Sequence, residues 1–280
     1  MGDRFRTVWT ILSINIRERM MYRGDFAFAT LVRFLPLVTQ IFLWAAIFRV
    51  GMGGTGGTAR IQGYAYGDMI AYYLLANLAR AFSSMPGLSS GIAREIREGS
   101  IKRFLTQPVD LLDFYFYARV AHKLVYYAVA IGPFALVFFL CRQFFPPLPD
   151  ALTICAFLVA LVFAFLIGFY TETLIGLIAF WFLEVGSLVF IFMMLNYFLS
   201  GHMIPLDFLK DRMPTAVDLL IDYGPFQYLS YFPSAVWLGR YSQAELWQHL
   251  GIAAAWSVTL WGLNRLALAR GLRRYSAYGG

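Results

Sequence analysis

Charged residues make up only 14% of this 280-residue sequence, and six of them fall between positions 94 and 103: Arg94, Glu95, Arg97, Glu98, Lys102 and Arg103. Both charge signs are present, and Ile92, Ile96, Ile101 and Leu105 add an apolar edge at roughly helical spacing. No nucleophile in the run stands beside a base, so the chemistry on offer is docking. A short helix with two-sign charge over an apolar ridge can enter a groove on a water-soluble partner. Ser89 and Ser90 are placed to cap its start, and Gly99 to stop it. A polar loop between apolar runs has the same composition, so charge alone leaves both readings open.

Arg33, Arg80 and Glu184 are ionisable residues inside apolar runs, and Glu172 stands between two of them. Burying such groups in hydrocarbon is costly, which makes each a candidate for function or for pairing. Arg33 is close enough to an end to snorkel. Arg80 and Glu184 are expected about 9 and 15 Å from the same membrane face at 1.5 Å per residue. An Arg80–Glu184 pair is therefore predicted, with Glu172 as the competing partner.

Enzyme chemistry finds little support. His122, His202 and His249 are far apart, and no H-E-x-x-H or G-x-S-x-G motif occurs. Cys141 and Cys155 are the only cysteines, too few for a thiolate metal site. Gly51, Gly53 and Gly56 match G-x-G-x-x-G formally but follow an apolar span rather than a strand, and no P-loop motif is present. No ATP site, cofactor or metal is expected in this chain.

The elements that must carry these residues are helices in a membrane. Hydrophobic residues are 60% of the sequence and mean hydropathy is +0.62, outside the usage of soluble globular domains. Six runs approach the ~20 residues that hydrocarbon requires: 28–48, 67–85, 124–140 (with a start as early as Phe114), 152–169, 174–198 and 250–268. Before them, Phe5, Val8, Leu12, Ile16 and Met20 recur at helical spacing opposite Arg6 and Arg17, predicting an amphipathic interfacial helix within 1–27. The stretch lacks the contiguous apolar core of a signal peptide.

Net charge is +7, but the basic residues sit where topology needs them rather than in a nucleic-acid patch. Arg4, Arg6, Arg17, Arg19 and Arg23 precede the first run, Arg94, Arg97, Lys102, Arg103, Arg119 and Lys123 follow the second, and Arg265, Arg270, Arg273 and Arg274 close the chain. The opposite loops hold fewer, so both termini are expected in the cytoplasm. Residues 199–249 are broken by Pro205, Pro214, Pro225 and Pro233 into apolar pieces too short to span, which are tolerated at membrane depth only where protein or a cavity covers their ends.

Glu95-Ile-Arg-Glu-Gly-Ser-Ile101 with Arg103-Phe-Leu-Thr-Gln-Pro-Val109 resembles the first cytoplasmic loop of the ABC-2 type permeases, the membrane subunits of a class of ABC exporters. Ser200-Gly-His-Met-Ile-Pro-Leu206 and Pro225-Phe-Gln-Tyr228 resemble the re-entrant helices of that family, and the ending from Arg270 to Gly280 is similar to one subgroup of it. The resemblance covers nearly the whole chain.

It implies a single all-α domain over 1–280, with six spans, a coupling loop at 87–110 and an outer re-entrant segment at 199–249. It further implies one half of a translocation path in a bacterial-type inner membrane, working with separate P-loop ATPase chains that carry ATP and Mg. The second membrane subunit would be another copy or a related six-span chain, with lipid around both and no nucleic acid. Arg94, Glu95, Arg97 and Glu98 would contact the ATPase, with Ile92 and Ile96 supplying apolar packing. Phe190, Met194 and Tyr197 would face an amphiphilic substrate, although lipid contact explains the same residues. A stand-alone secondary carrier remains an alternative, drawing on the Gly132–Pro133 interruption of the third span, and a membrane-embedded transferase ranks below it.

Overall fold

A computed structural model of the chain describes residues 34–50, 60–106, 110–182, 184–210 and 214–275, with isolated positions before them. Among the described residues every regular element is a helix, and the only β pairing is an isolated bridge between Ile61 and Tyr64. The interfacial helix expected within 1–27, Arg33, and the glycine-rich link at 51–59 fall largely or wholly outside the described residues.

The helices are α1 (Leu35–Val50), α2 (Tyr66–Ser83), α3 (Leu88–Arg97), α4 (Lys102–Thr106), α5 (Leu111–Leu140), α6 (Ala151–Leu177), α7 (Gly186–Leu199), α8 (Thr215–Tyr223), α9 (Tyr231–Trp237) and α10 (Gln243–Arg274). Two segments, Leu111–Leu140 and Ala151–Phe180, are long and apolar enough to cross a membrane, while Leu35–Arg49 and Gly186–Leu199 are apolar but shorter. The expected second and sixth runs are helical as α2 and α10. Gly132 and Pro133 do not interrupt α5, which runs through both.

Helix starts follow local chemistry. Asp110 caps α5 by accepting from the Leu112 and Asp113 amides at 2.9 and 3.2 Å. Ser242 and Glu245 form a reciprocal capping box at the head of α10. The Ser242 hydrogen bonds hold the Glu245 carboxyl below the usual carboxylate range.

The described chain divides into two compact units. One comprises residues up to Ala71 together with Arg103–Phe145. Its packing is aromatic: Phe34 meets Phe134 edge-on at 4.9 Å, and Tyr66 stands between Phe48 and Phe144 at 6.0 and 5.7 Å. The other comprises Tyr72–Lys102 and Pro146 onward, and α6 is its axis, touching α10, α3, α9 and the turn at Phe226–Leu229.

Small residues recur in steps of four along α6, on a ridge that winds slowly around the helix: Ala156, Ala160, Ala164, Gly168 and Gly176 are all buried. Residues four apart share one helix face, and without large side chains neighbouring backbones can close in, which is how helices pack where lipid removes the hydrophobic drive. At Gly168 a Cβ would overlap the Ser83 carbonyl at the end of α2, and at Gly176 it would lie 2.9 Å from the Ile92 Cβ and the Ser89 carbonyl of α3. On α10 the buried positions Leu246, Leu250, Ala253, Ser257, Leu260 and Asn264 follow a three-and-four spacing, and the Asn264 amide donates to the Tyr170 carbonyl of α6 at 2.8 Å.

One boundary departs from the expectation. The gap between the runs at 152–169 and 174–198 implies a turn there, but α6 continues to Leu177 and the chain breaks only after the 3-10 turn Ile178–Phe180. The Tyr-Thr-Glu-Thr stretch is polar without being helix-breaking, and the Thr171 hydroxyl is satisfied inside the helix by the Ile167 carbonyl at 2.7 Å. The fifth run is correspondingly short, as α7 has 14 residues.

The close approaches predict contrasting glycine substitutions. Gly168→Ala and Gly176→Ala should each lower stability by about 1–3 kcal/mol through overpacking. Gly262→Ala, with open space around its added methyl, should be neutral or stabilising by up to about 1 kcal/mol from helix propensity. Thermal unfolding of the purified protein in detergent separates the two classes.

Candidate functional site

The charged run forms two helices rather than one. α3 starts at Gly87, whose φ of +71° suits glycine, and no side chain caps it: Ser89 and Ser90 lie inside the helix, not ahead of it. It ends at Gly99, φ +74°, where the Gly99 amide bonds the Ile96 carbonyl and the Ile101 amide reaches back to the Glu95 carbonyl at 3.2 Å. Lys102–Thr106 then forms α4.

The faces of α3 are sorted by chemistry. Leu88, Ser89, Ile92, Ala93 and Ile96 are buried, and the helix lies on α6 and the turn that follows it. Arg94, Arg97 and Glu98 are exposed and Glu95 is half-buried. Ile92 and Ile96 therefore pack within their own chain. The apolar ridge anchors the helix, and the charged side is what it presents outward.

Two carboxylates fasten α3 at either end. The Ser89 hydroxyl donates to Glu172 Oε2 of α6 at 3.1 Å. The Arg97 guanidinium lies 3.7 Å from Glu184 Oε2, with the Glu184 side chain 73% exposed. Glu184 also accepts from the Gly186 amide at 2.6 Å, a carboxylate at the positive end of α7. The Arg80–Glu184 pair is thus corrected: Glu184 lies in the break before α7 and its partner is Arg97. Because α6 continues past the predicted turn, Glu184 does not sit within a span at all. Arg80 is exposed in the last turn of α2.

Phe190, Met194 and Tyr197 share one face of α7 and are exposed, while Phe192 is buried. Beyond α7 the chain turns back beside α2. The Tyr72 hydroxyl donates to the Gly201 carbonyl and the Tyr73 hydroxyl to the Met203 carbonyl at 2.7 Å. Ser230 Oγ donates to the Ala76 carbonyl at 3.2 Å, and the Tyr231 hydroxyl to Asp207 at 2.7 Å. His202 in this turn packs against the Tyr197 ring at 5.8 Å. No cluster of three or more His, Cys, Asp or Glu that could hold a metal occurs among the described residues, and both cysteines are free thiols.

Sequence reasoning singled out the charged face and missed the seat beneath it. Ser89, expected as a cap, belongs to that seat, together with Gly168 and Gly176. The signal that would have found them is the four-residue repeat of small side chains along α6.

The two faces of α3 should respond differently to substitution. Ile92→Ala removes a buried side chain and should cost about 2–5 kcal/mol. Arg97→Gln removes an exposed ion pair and should cost less than about 1 kcal/mol. Thermal or denaturant unfolding in detergent reads both.

No curated protein matches the chain. A family model described as an ABC-2 family transporter protein matches residues 34–279, which takes in both compact units. That match, with an all-helical build and long apolar helices, places the protein in a membrane as a transport component rather than as a nucleotide-hydrolysing domain. The chain belongs to the ABC-2 family of transporter proteins.

Proposed function

We propose that this chain is the permease subunit of an ATP-driven exporter, supplying half of a translocation path and taking its driving force from separate ATPase chains. The observation that carries the proposal is the sorting of α3. Its apolar face is buried on α6 while Arg94, Arg97 and Glu98 point outward. A helix fixed to its own subunit and charged on the other side has the form of a socket for a soluble partner. ATP and Mg belong to that partner, which ABC-2 permeases normally work with.

In this reading six spans cross a bacterial-type inner membrane with both termini in the cytoplasm, and the 199–249 segment caps the path from outside. A second copy or a related chain completes the path. Nucleotide-driven closure of the ATPases pushes on α3, and the push passes to α6 and α2 through the contacts at Gly176 and Gly168. The path then exchanges inward for outward access, a shift between two states that nucleotide and cargo bind unequally. The exposed face of Phe190, Met194 and Tyr197 suits an amphiphilic cargo, since methionine and aromatic rings adapt to varied apolar shapes.

The tagged protein purified in mild detergent should carry a stoichiometric P-loop ATPase, identified by mass spectrometry. A chain that came down alone, with no ATPase even after crosslinking in intact membranes, would overturn the reading. Within the assembled complex, Glu95→Lys or Glu98→Lys should leave ATP hydrolysis in place while lowering transport. Unchanged coupling in both would move the socket elsewhere.

A further inference from the structure

Glu172 is the exception in the small-residue register of α6. Counting in fours from Ala156, the positions read Ala156, Ala160, Ala164, Gly168, Glu172 and Gly176. One turn before the carboxylate, the backbone of α2 closes on Gly168; one turn after it, α3 closes on Gly176. Between these two seats the chain passes from α2 to α3 through Ser84–Gly87, an elbow with Gly87 in the left-handed region. The elbow therefore straddles Glu172, and Ser89, in the first turn of α3, donates to it at 3.1 Å.

A carboxyl group is an expensive way to fill this position. Ionisable groups within apolar helices are costly, and Glu172 is half-buried there. A residue needed only for packing would be small like its neighbours in the register. The oxygen of Glu172 instead supplies a directional hold on α3 that sliding apolar contacts do not provide.

We infer that Glu172 is a positioning residue, the pivot at which movement of α3 is passed to α2 and α6, with Ser89 as its contact on α3. The inference rests on the coupling role proposed above for α3. When α3 is pushed, the hydrogen bond fixes its first turn while Gly87 lets the elbow bend. α3 and the end of α2 then turn together about α6 rather than α3 sliding over it. Glu172 touches neither cargo nor nucleotide in this account.

The test uses the permease assembled with its co-purified ATPase in nanodiscs, with Cys141 and Cys155 replaced by serine. Spin labels at Ser90→Cys on α3 and Gly262→Cys on α10 report the distance between these helices, with and without ATP and vanadate. Assembly with the ATPase and a nucleotide-dependent distance shift in the parent complex must be seen first, and their absence would overturn the coupling reading rather than the pivot. Given both, Glu172→Ala and Ser89→Ala are each expected to lose most of the distance shift while keeping ATPase association and thermal stability. The double variant should lose no more than either single one, since both remove the same link. Glu172→Gln, which keeps an acceptor oxygen for Ser89, should retain most of the shift. A full shift in the two alanine variants, or additive losses in the double variant, would overturn the pivot. So would a loss that tracks thermal stability and is not rescued by Glu172→Gln.

Discussion

The close approach of backbones along α6 is the constraint on which the larger compact unit depends. In lipid, apolar side chains gain nothing by leaving one hydrocarbon environment for another, so helices associate through van der Waals contact and interhelical hydrogen bonds. Small residues recur in steps of four along α6, and at Gly168 and Gly176 the end of α2 and α3 come close. α10 packs on α6 through a different pattern, larger residues at alternating three- and four-residue steps, with Asn264 contributing the polar contact. Bulk at the glycine positions would lift α3 away, and with it the charges on its outer side.

The same accounting explains the turn after α7. Fourteen residues reach about 21 Å, short of the ~30 Å hydrocarbon core. The chain leaves helical geometry at Ser200 with carbonyls that no helix satisfies, and such groups are tolerated at membrane depth only when protein meets them. Tyr72 and Tyr73 do so at Gly201 and Met203, while Ser200 accepts from the Tyr231 amide. Tyrosine suits the task, since its ring fills apolar volume while its hydroxyl reaches a carbonyl. The broken segment is thereby tied to α2, the helix that leads directly into α3.

Much of this was legible in the residues. The apolar runs located the helices, Gly99 marked the end of α3, and the proline-punctuated stretch after Phe198 foretold short pieces in place of a span. The failures share a cause. The polar gap between the runs at 152–169 and 174–198 does not end the helix, because a threonine hydroxyl can bond the preceding helical turn and leave it intact. That one boundary moved Glu184 out of its assumed span and gave it to Arg97. Ile92 and Ile96 were recognised as a ridge, but periodicity says only that a face is apolar, not what covers it. The seat that covers it lies some eighty residues away, in glycines whose significance appears only when the two helices meet.

Charge in this unit divides by what the rest of the chain does with it. Arg97 and Glu184 meet at an exposed site, where an ion pair contributes little to stability, so their value lies in how they present and orient the outer side of α3. Glu172 has the opposite character: its setting makes a carboxyl group costly, and it accepts from the Ser89 hydroxyl of α3. A helix held only by Ile92 and Ile96 could slide along α6, because dispersion between apolar surfaces has no preferred direction. Adding a hydrogen bond in the first turn makes one end a fixed point, and a push on the exposed charges then becomes a rotation. Anchorage, orientation and presentation are assigned to different residues of ten-residue α3, which explains why so short a segment combines isoleucines, a buried serine and charges of both signs.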